Sequence, residues 1–324
     1  MIARRATAVL VLAAAALVVA SARATPPRLQ FSVFVQSGHN LASVLWDGSR
    51  FLFIENTENV IWSAPASGTP FTSFASMPRL VEETRCVLSP GTHGFTPGDI
   101  YCASPDHKIY AITSDGSSVT VLATLPVAYP PASDGALAFD DVGRFGFRLV
   151  AATGRSGNAR RAGGRVFTIG PTGTVASVGS YPGPGGADEL LIAPKGFGSA
   201  AGDAFLAIDP GAKAGTLVAL DPHGRARTIA KFPTGPNPMA IVPRPGAARA
   251  GAPPPGLYVT DDITKNVYVA SADEFRAYAG DLLVGSELQG RWWAFRPHGR
   301  SYTSVELRSN LGGNDDLEGA TFAP

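Results

Sequence analysis

A hairpin pattern that recurs along the chain constrains its fold more than any other feature of the sequence. Each copy has an apolar run, a turn centred on glycine and a second apolar run, as in KIYAITSDGSSVTVLATLP at 108–126. Glycine supplies the positive φ that tight hairpin turns require, so the pattern predicts five β-hairpins. The five turn glycines, which lie 48, 57, 51 and 75 residues apart, are Gly68, Gly116, Gly173, Gly224 and Gly299.

Further strands precede each hairpin and extend it to a four-stranded unit. DAFLAID at 203–209, for example, follows DELLIAP and precedes the hairpin that turns at Gly224. Four strands that recur about every 50 residues predict the blades of a β-propeller. The gap of 75 residues holds one more unit at 237–273, with NPMAIVP, GLYVTDD and NVYVASAD. A β-sandwich or barrel is the alternative, but the regular period favours an all-β, six-bladed β-propeller.

Closure of the ring is expected to use both ends of the propeller. The sequence lacks one strand near 274–285, whereas LEGATFAP at 317–324 resembles an innermost strand. We expect LEGATFAP to complete the last blade and, with FSVFV at 31–35, to leave no open sheet edges. Trp292 and Trp293 are neighbours on one strand, so they should point to opposite faces and fill two gaps between blades.

The first 24 residues have the features of a secretory signal peptide. Arg4 and Arg5 precede an apolar run at 6–20, and ARA at 22–24 supplies small residues at a cleavage site. A membrane anchor is the alternative, but this run is short and rich in alanine. We therefore predict a mature chain of residues 25–324 that forms a single β-propeller domain and is secreted or periplasmic.

The charge balance of the mature chain excludes some classes of partner. Cleavage removes three arginines and no acids from a chain with 27 basic and 26 acidic residues, which leaves 24 basic residues. This near balance gives no reason to expect nucleic acid as a partner. No later stretch is apolar for about 18 residues, so no membrane contact is expected after cleavage. These features leave the oligomeric state open.

The two cysteines of the chain are Cys86 and Cys102. Cys86 falls on the predicted innermost strand of the second blade, and Cys102 falls on the strand antiparallel to it. Exported proteins retain disulfides, and closing an intervening loop of this length contributes about 3 kcal/mol in the chain-entropy model. The spacing matches no redox or metal motif, so we predict a Cys86–Cys102 disulfide.

Acidic residues gather at one mouth of the predicted channel. Innermost strands run parallel around a propeller channel, so their first residues form a ring, and the loops between second and third strands share that face. Such a concentration of carboxylates is unfavourable unless a cation or ligand neutralises it, and oxygen ligands without His or Cys favour Ca²⁺. The alternative is that loop amides and water satisfy these side chains. The ring residues are Asp134, Asp188, Glu189, Asn237 and Glu318, and the residues near them are Asp261, Asp262, Asp315, Asp316, Glu55, Asn56 and Glu58.

Two groups of basic side chains lie outside this ring. His223 and His298 occupy equivalent positions in DPHGR and RPHGR, and we expect both to be exposed and non-catalytic. The loop GRSGNARRAGGR carries Arg155, Arg160 and Arg161, which suit an anionic group of a ligand. A solvated hairpin tip is the alternative interpretation of this loop.

Three short pieces resemble the regucalcin/gluconolactonase-like six-bladed propellers. GPNPMAIVP followed by GLYVTDDITKNVYVA looks like one blade of that family, and LEGATF looks like its Glu-Gly start of an inner strand. The first blade, LASVLWDGSRFLFIEN, has the same frame with Ala42 where the acid would stand. As architecture the resemblance covers the mature chain. It implies a divalent metal, usually Ca²⁺, at the channel mouth, and lactone hydrolysis.

The resemblance also implies roles for individual residues. Glu318 and Asn237 would be metal ligands, and Asp261 or Asp262 would be a further ligand or a general base. Two functions remain open. The first is a metal-dependent hydrolase of the lactonase or esterase type, in which Ca²⁺ polarises the carbonyl of a cyclic ester. The second is a non-catalytic exported propeller that binds a small molecule, a glycan or a protein.

Overall fold

Six β-sheets make up the described part of the chain in a computed structural model. Their strands total 25, and two short 3₁₀ helices accompany them among the described residues. The structure describes residues 26–78, 84–127, 135–154, 163–183, 185–210, 214–244, 252–299, 301–313 and 315–324.

The strands are short and apolar, as expected for blade sheets that pack face to face. The 3₁₀ helices are Gly198–Ala200 and Ala272–Tyr278. In chain order the strands are β1 (Arg28–Leu29), β2 (Phe31–Gln36), β3 (Leu41–Trp46), β4 (Arg50–Glu55), β5 (Val60–Pro65), β6 (Thr72–Ser76), β7 (Arg85–Leu88), β8 (Ile100–Ala103), β9 (Lys108–Ile112), β10 (Val119–Thr124), β11 (Gly135–Phe139), β12 (Leu149–Thr153), β13 (Arg165–Ile169), β14 (Val175–Ser180), β15 (Gly186–Ile192), β16 (Ala204–Asp209), β17 (Thr216–Leu220), β18 (Ala226–Lys231), β19 (Met239–Ile241), β20 (Gly256–Asp261), β21 (Asn266–Ser271), β22 (Leu282–Gly285), β23 (Arg291–His298), β24 (Ser301–Ser309) and β25 (Leu317–Ala323).

The six sheets are arranged as the blades of a propeller. Blades 1 to 4 are β3–β6, β7–β10, β11–β14 and β15–β18, each with its first strand innermost. From the channel outward, blade 5 is β19, β22, β23, β24 and β1, and blade 6 is β25, β20, β21 and β2. The innermost strands β3, β7, β11, β15, β19 and β25 contact one another in a closed ring. The predicted six-bladed β-propeller is confirmed.

Blades 5 and 6 exchange segments, and here the sequence prediction was wrong. NPMAIVP and GLYVTDD were assigned to one blade, but β19 pairs with β22, with Met239 opposite Val284. LEGATFAP was assigned to the blade that contains RWWAF, but β25 pairs with β20, with Tyr258 opposite Thr321. Local patterns identify strands and not their partners. Because Leu257, Leu283 and Trp292 share one buried cluster, either pairing would bury the same kind of side chain.

Both ends of the propeller take part in closing the ring, as predicted. FSVFV lies on β2, which forms the outer edge of blade 6 against β21. β25, from the opposite end of the chain, forms the innermost strand of the same blade. The missing strand near 274–285 is explained by the blade exchange, because β22 takes β19 as its inner neighbour.

The five turn glycines have positive φ values between 57° and 87°, which confirms the predicted hairpins. Three of them have a second reason to be glycine. Gly116, Gly173 and Gly224 each lie against a backbone carbonyl of the preceding blade, where a Cβ would overlap it. These carbonyls belong to Phe74, Leu122 and Val178. Glycine at these three positions is therefore required by the packing of successive blades as well as by the turns.

The predicted disulfide and tryptophan positions are also confirmed. Cys86 and Cys102 are bonded across β7 and β8, directly opposite each other with Cα atoms 4.1 Å apart. Trp292 is fully buried in the cluster between blades 5 and 6. Trp293 points to the other face, where its ring lies 4.8 Å from that of Phe232 in blade 4.

Some sequence predictions lie outside the described residues. These are the signal peptide at 1–24 and the side chains of Asp134, Arg155, Arg160 and Arg161. Across the ranges that the structure describes, no helix has both the length and the apolar composition needed to cross a membrane. His223 and His298 lie at exposed turns, as expected.

Candidate metal centre at the channel mouth

The channel mouth is the end of the propeller at which the innermost strands begin. The loops that follow the second strands of the blades open on the same end, so they bring further side chains to it. The mouth includes Arg85 in blade 2, Asp188, Glu189 and Asp209 in blade 4, Asn237 and Glu287 in blade 5, and Asp261, Asp262, Asp316 and Glu318 in blade 6. Asp261 and Asp262 were expected in blade 5, and the exchange of strands moves them to blade 6.

A β-bulge at the start of three innermost strands shapes the mouth. Ala42 in β3 and Asp188 in β15 are each an extra residue that the register with the neighbouring strand skips, and Glu318 with Gly319 forms the equivalent bulge in β25. A bulge re-aims a side chain and frees a backbone carbonyl from the ladder. Gly319 permits close contact with β3, because a Cβ there would overlap the backbone of Ser43.

Glu318 and Asn237, the two ligands implied by the resemblance, lie side by side. The Nδ2 of Asn237 donates a hydrogen bond of 3.2 Å to Oε2 of Glu318. The same oxygen accepts a hydrogen bond of 2.9 Å from Nη2 of Arg85. Glu318 and Arg85 are each 3% exposed and Asn237 is completely buried, so this contact is shielded from solvent.

Arg85 spans the mouth from blade 2 and contacts all three bulges. Its Nη2 donates to Glu318, its Nη1 donates to the carbonyl of Ala42, and its Nε donates to the carbonyl of Asp188 at 3.0 Å. Nε also lies 3.7 Å from Oε1 of Glu189. In the described part of the chain, Arg85 is the one arginine or lysine that is buried. One guanidinium therefore faces a ring of carboxylates.

Two overlapping groups of carboxylates are close enough to share a metal ion. In each group one oxygen per residue lies within 4.8 Å of the others, and Glu287 belongs to both. The first group adds Asp316 and Glu318, and the second adds Asp188 and Asp209. The first group also adjoins the amide of Asn237, through its hydrogen bond to Glu318.

Burial and mutual repulsion favour the neutral form of several of these acids. Burial raises the pKa of Glu318 to about 8, and Asp316 and Glu287 add to the rise while the Arg85 guanidinium opposes it. Burial, together with Glu287, raises the pKa of Asp316 to about 7. Burial raises the pKa of Glu189 to about 7 against the opposing effect of Arg85. One arginine does not offset the negative charge of this site.

The amide of Asn237 has one buried atom that is not used in a hydrogen bond within the described part of the chain. Its Nδ2 is used by Glu318, but its Oδ1 is buried and accepts no hydrogen bond from any described residue. A buried polar atom without a partner is unfavourable by about 1 to 3 kcal/mol. An amide oxygen beside carboxylates is a suitable donor set for a hard cation such as Ca²⁺.

Asp261 and Asp262, the two candidate bases, have different surroundings. Oδ1 of Asp261 accepts hydrogen bonds of 2.9 Å from the backbone N–H groups of Ile263 and Thr264, so this side chain holds the turn after β20. Asp262 accepts one long hydrogen bond, 3.5 Å, from Nδ2 of Asn56. Its Oδ1 has no partner among the described residues, and burial raises its pKa. Asp262 is therefore the less constrained carboxylate.

Sequence reasoning missed three of the residues that form this site. Arg85 occupies the strand-start position of blade 2, where the same rule that selected Glu318 should have selected it. Asp209 ends the second strand of blade 4, and Glu287 follows the second strand of blade 5. Both therefore lie where a second strand leads into the loop before the third strand, on the face that the sequence predicts for the mouth. Glu189 faces Arg85, and its proposed metal role stays a prediction.

Comparison with known proteins gives the fold and little more. No family model matches the chain, and no curated protein is similar to it. A crystal structure of a nidogen/laminin complex is 12% identical over 92% of this chain and 85% of that chain, with a TM-score of 0.52. A regucalcin from Agrobacterium tumefaciens strain C58, described as a calcium-binding protein, is 14% identical over 88% and 80%, with a TM-score of 0.49. The first likeness shows the fold alone, and the second is too weak to assign a residue role.

Proposed function

We propose that this protein is an exported propeller that binds Ca²⁺ at its channel mouth and uses the site to hydrolyse a cyclic ester. The buried, unpartnered Oδ1 of Asn237, next to the carboxylate group of Glu287, Asp316 and Glu318, is the observation that carries the proposal. The Cys86–Cys102 disulfide supports export, because such bonds persist in oxidising compartments.

The donor set matches the chemistry of calcium. Ca²⁺ takes six to eight oxygen ligands, and carboxylates, amide carbonyls and water are its usual partners. Glu287, Asp316 and Glu318 would supply carboxylate oxygens, and Asn237 would supply its amide oxygen. Both recorded hydrogen bonds to Glu318 end on Oε2, so Oε1 is the oxygen that remains for a cation.

Ester hydrolysis is the reaction that such a site suits. A bound Ca²⁺ would act as a Lewis acid on the carbonyl oxygen of the ester. Asp262 lies beside the metal candidates, since its backbone N–H donates to the carbonyl of Asp316 at 3.0 Å. We assign Oδ1 of Asp262 to accept a proton from the attacking water. The water oxygen bonds to the carbonyl carbon, the ring C–O bond breaks, and the proton passes to the leaving oxygen.

Calcium binding is tested first, by thermal unfolding of the purified protein after chelation and again with Ca²⁺ restored. A site filled to about 100 times its Kd adds about 2.7 kcal/mol, or roughly 5 °C for a chain of this size. Glu318→Gln and Asn237→Leu should remove the shift. Glu306→Gln, a matched change at a half-buried acid on β24, should keep it. A wild-type protein that shows no shift would overturn the proposal.

Hydrolysis is tested separately, by proton release from a panel of γ- and δ-lactones. Asp262→Asn should lower kcat by about 10²-fold or more while the calcium shift remains, because general bases contribute about that much. Glu58→Gln, an exposed acid in the corresponding loop of blade 1, is the control. A protein that binds Ca²⁺ and turns over no ester would leave the non-catalytic binding propeller as its function.

A further inference from the structure

We propose that Arg85 sets the cation affinity of the channel mouth, because its guanidinium is a tethered competitor for Glu318. This inference rests on the proposed calcium site and concerns how tightly that site binds. The contact that defines it is the ion pair of 2.9 Å between Nη2 of Arg85 and Oε2 of Glu318, both of which are buried.

The position of Arg85 is built into the fold. It is the first residue of β7, and its neighbour Cys86 is bonded to Cys102 on β8, so the strand that carries it is anchored. Its three recorded hydrogen bonds reach the bulges of blades 1, 4 and 6. A guanidinium presents a rigid fork of N–H donors, which suits acceptors that converge from several directions.

The two bulge carbonyls that Arg85 contacts lie outside the regular register of their strands. An extra residue in a bulge is left out of the ladder, so the carbonyls of Ala42 and Asp188 are available to Arg85. Ala42 stands where the resemblance would place an acid. In this chain the backbone carbonyl at that position accepts a hydrogen bond from the Arg85 guanidinium, and there is no carboxylate at that position to bind a metal.

Arg85 and a divalent ion would share one carboxylate. Both would lie within about 3 Å of an oxygen of Glu318, so their positive charges would repel each other at short range in a buried site. The ion pair with Arg85 therefore weakens cation binding and stabilises the protein when no cation is bound. Removing the guanidinium should have the opposite effects.

The test is a calorimetric titration of chelated protein with Ca²⁺, for wild type and for Arg85→Met. The variant should bind Ca²⁺ at least about tenfold more tightly, which corresponds to about 1.4 kcal/mol. It should also unfold at a lower temperature without Ca²⁺ and recover when Ca²⁺ is added. A purely structural role for Arg85 would lower the affinity instead. Arg276→Met, which removes an exposed arginine from a surface ion pair, should leave the affinity unchanged.

A second variant covers the case in which Arg85→Met does not fold. Arg85→Gln removes the charge and retains an amide that donates to the bulge carbonyls. If neither variant folds in chelator, calcium should restore the fold, because the ion replaces the missing positive charge. Variants that stay unfolded in excess calcium, or that fold and bind it no more tightly than wild type, would overturn the inference.

The outcomes separate this inference from the proposed function. Binding in wild type with unchanged affinity in the variants contradicts the inference and leaves the calcium site intact. No binding in any folded form contradicts both. No binding in wild type with clear binding in Arg85→Met supports the competition, and it shows that the arginine itself is the resident cation of the natural protein.

Discussion

Two acids at the end of the propeller away from the mouth, Asp140 and Asp47, have surroundings opposite to those of Glu318 at the mouth. At the end away from the mouth, buried Asp140 accepts hydrogen bonds from four backbone N–H groups of the loop after β11. Burial opposes ionisation of Asp47 at the same end, but hydrogen bonds from Ser49 and Arg50 outweigh it and hold its pKa below the ordinary value. At the mouth, burial raises the pKa of Glu318.

The contrast follows from the donors that each end provides. A tight turn directs successive N–H groups at the side chain that begins it, so an acid there is satisfied locally. At the mouth, the bulges at the beginnings of the innermost strands direct backbone carbonyls inward. An acid that lies among carbonyls is stabilised by a cation. Acids at both ends are common at loop boundaries in the sequence, and the group at the mouth is the one for which we propose a partner from outside.

Removing the carboxylate of Asp140, at the end away from the mouth, should have the largest effect on the free energy of unfolding. Asp140→Ala removes a buried carboxylate and leaves four N–H groups of a partly exposed loop without their acceptor, and we expect a loss of about 3 kcal/mol in the free energy of unfolding. Urea unfolding measures it, with Asp141→Ala as the control because that neighbour is exposed. Equal effects of the two changes would show that the loop does not depend on the carboxylate.

The stability of the chelated protein should depend on pH because of the acids at the mouth. The folded-state pKa values of Glu318, about 8, and of Glu189 and Asp316, about 7, lie above the usual values near 4. The native state therefore holds protons that the unfolded chain has released, and stability is lost as the pH rises through 7 to 8. The proton held by Glu318 by itself corresponds to a loss of about 2.5 kcal/mol between pH 6 and 8.5, and the other two acids act in the same direction.

Denaturant titrations at several pH values, with and without Ca²⁺, test this dependence. Acids such as Asp47 act in the other direction, since a lowered pKa contributes stability that is lost only when the pH falls below about 4. Stability that is constant or rises between pH 6 and 8.5 in chelator would mean that the mouth acids are already compensated.

Neutralising one acid at the mouth should give the smallest effect on stability. Asp316→Asn removes one charge that Glu287 and Asp262 repel, so at pH 8 in chelator we expect a gain of about 1 kcal/mol. The matched change is Asp115→Asn at the opposite end, where hydrogen bonds from Thr113 and Ser117 lower the pKa of Asp115 to about 2. The temperature of thermal unfolding should rise for the first variant and fall for the second. A fall for both would remove the distinction between the ends.

Much of the site was predictable from strand direction. Because innermost strands run parallel, the rule that their first residues form a ring found Glu318 and Asn237, which prove to be in hydrogen-bond contact. The same rule was not applied to the second blade, so Arg85 was missed. Glu287 follows a second strand, and it was missed because the loop after that strand was not examined for acids. The exchange between blades 5 and 6 places Glu287 and Glu318 in neighbouring blades, with carboxylate oxygens within 4.8 Å of each other.

The sequence by itself determined the strands, the turns, the number of blades and the disulfide. These depend on short-range chemistry, namely short apolar runs, the positive φ of turn glycines and the proximity of paired cysteines on adjacent strands. The tertiary structure alone decided which strands share blades 5 and 6, and which bulges and acids the arginine of the mouth contacts. Those features depend on contacts between distant segments, where several pairings bury similar side chains and only the assembled ring selects one.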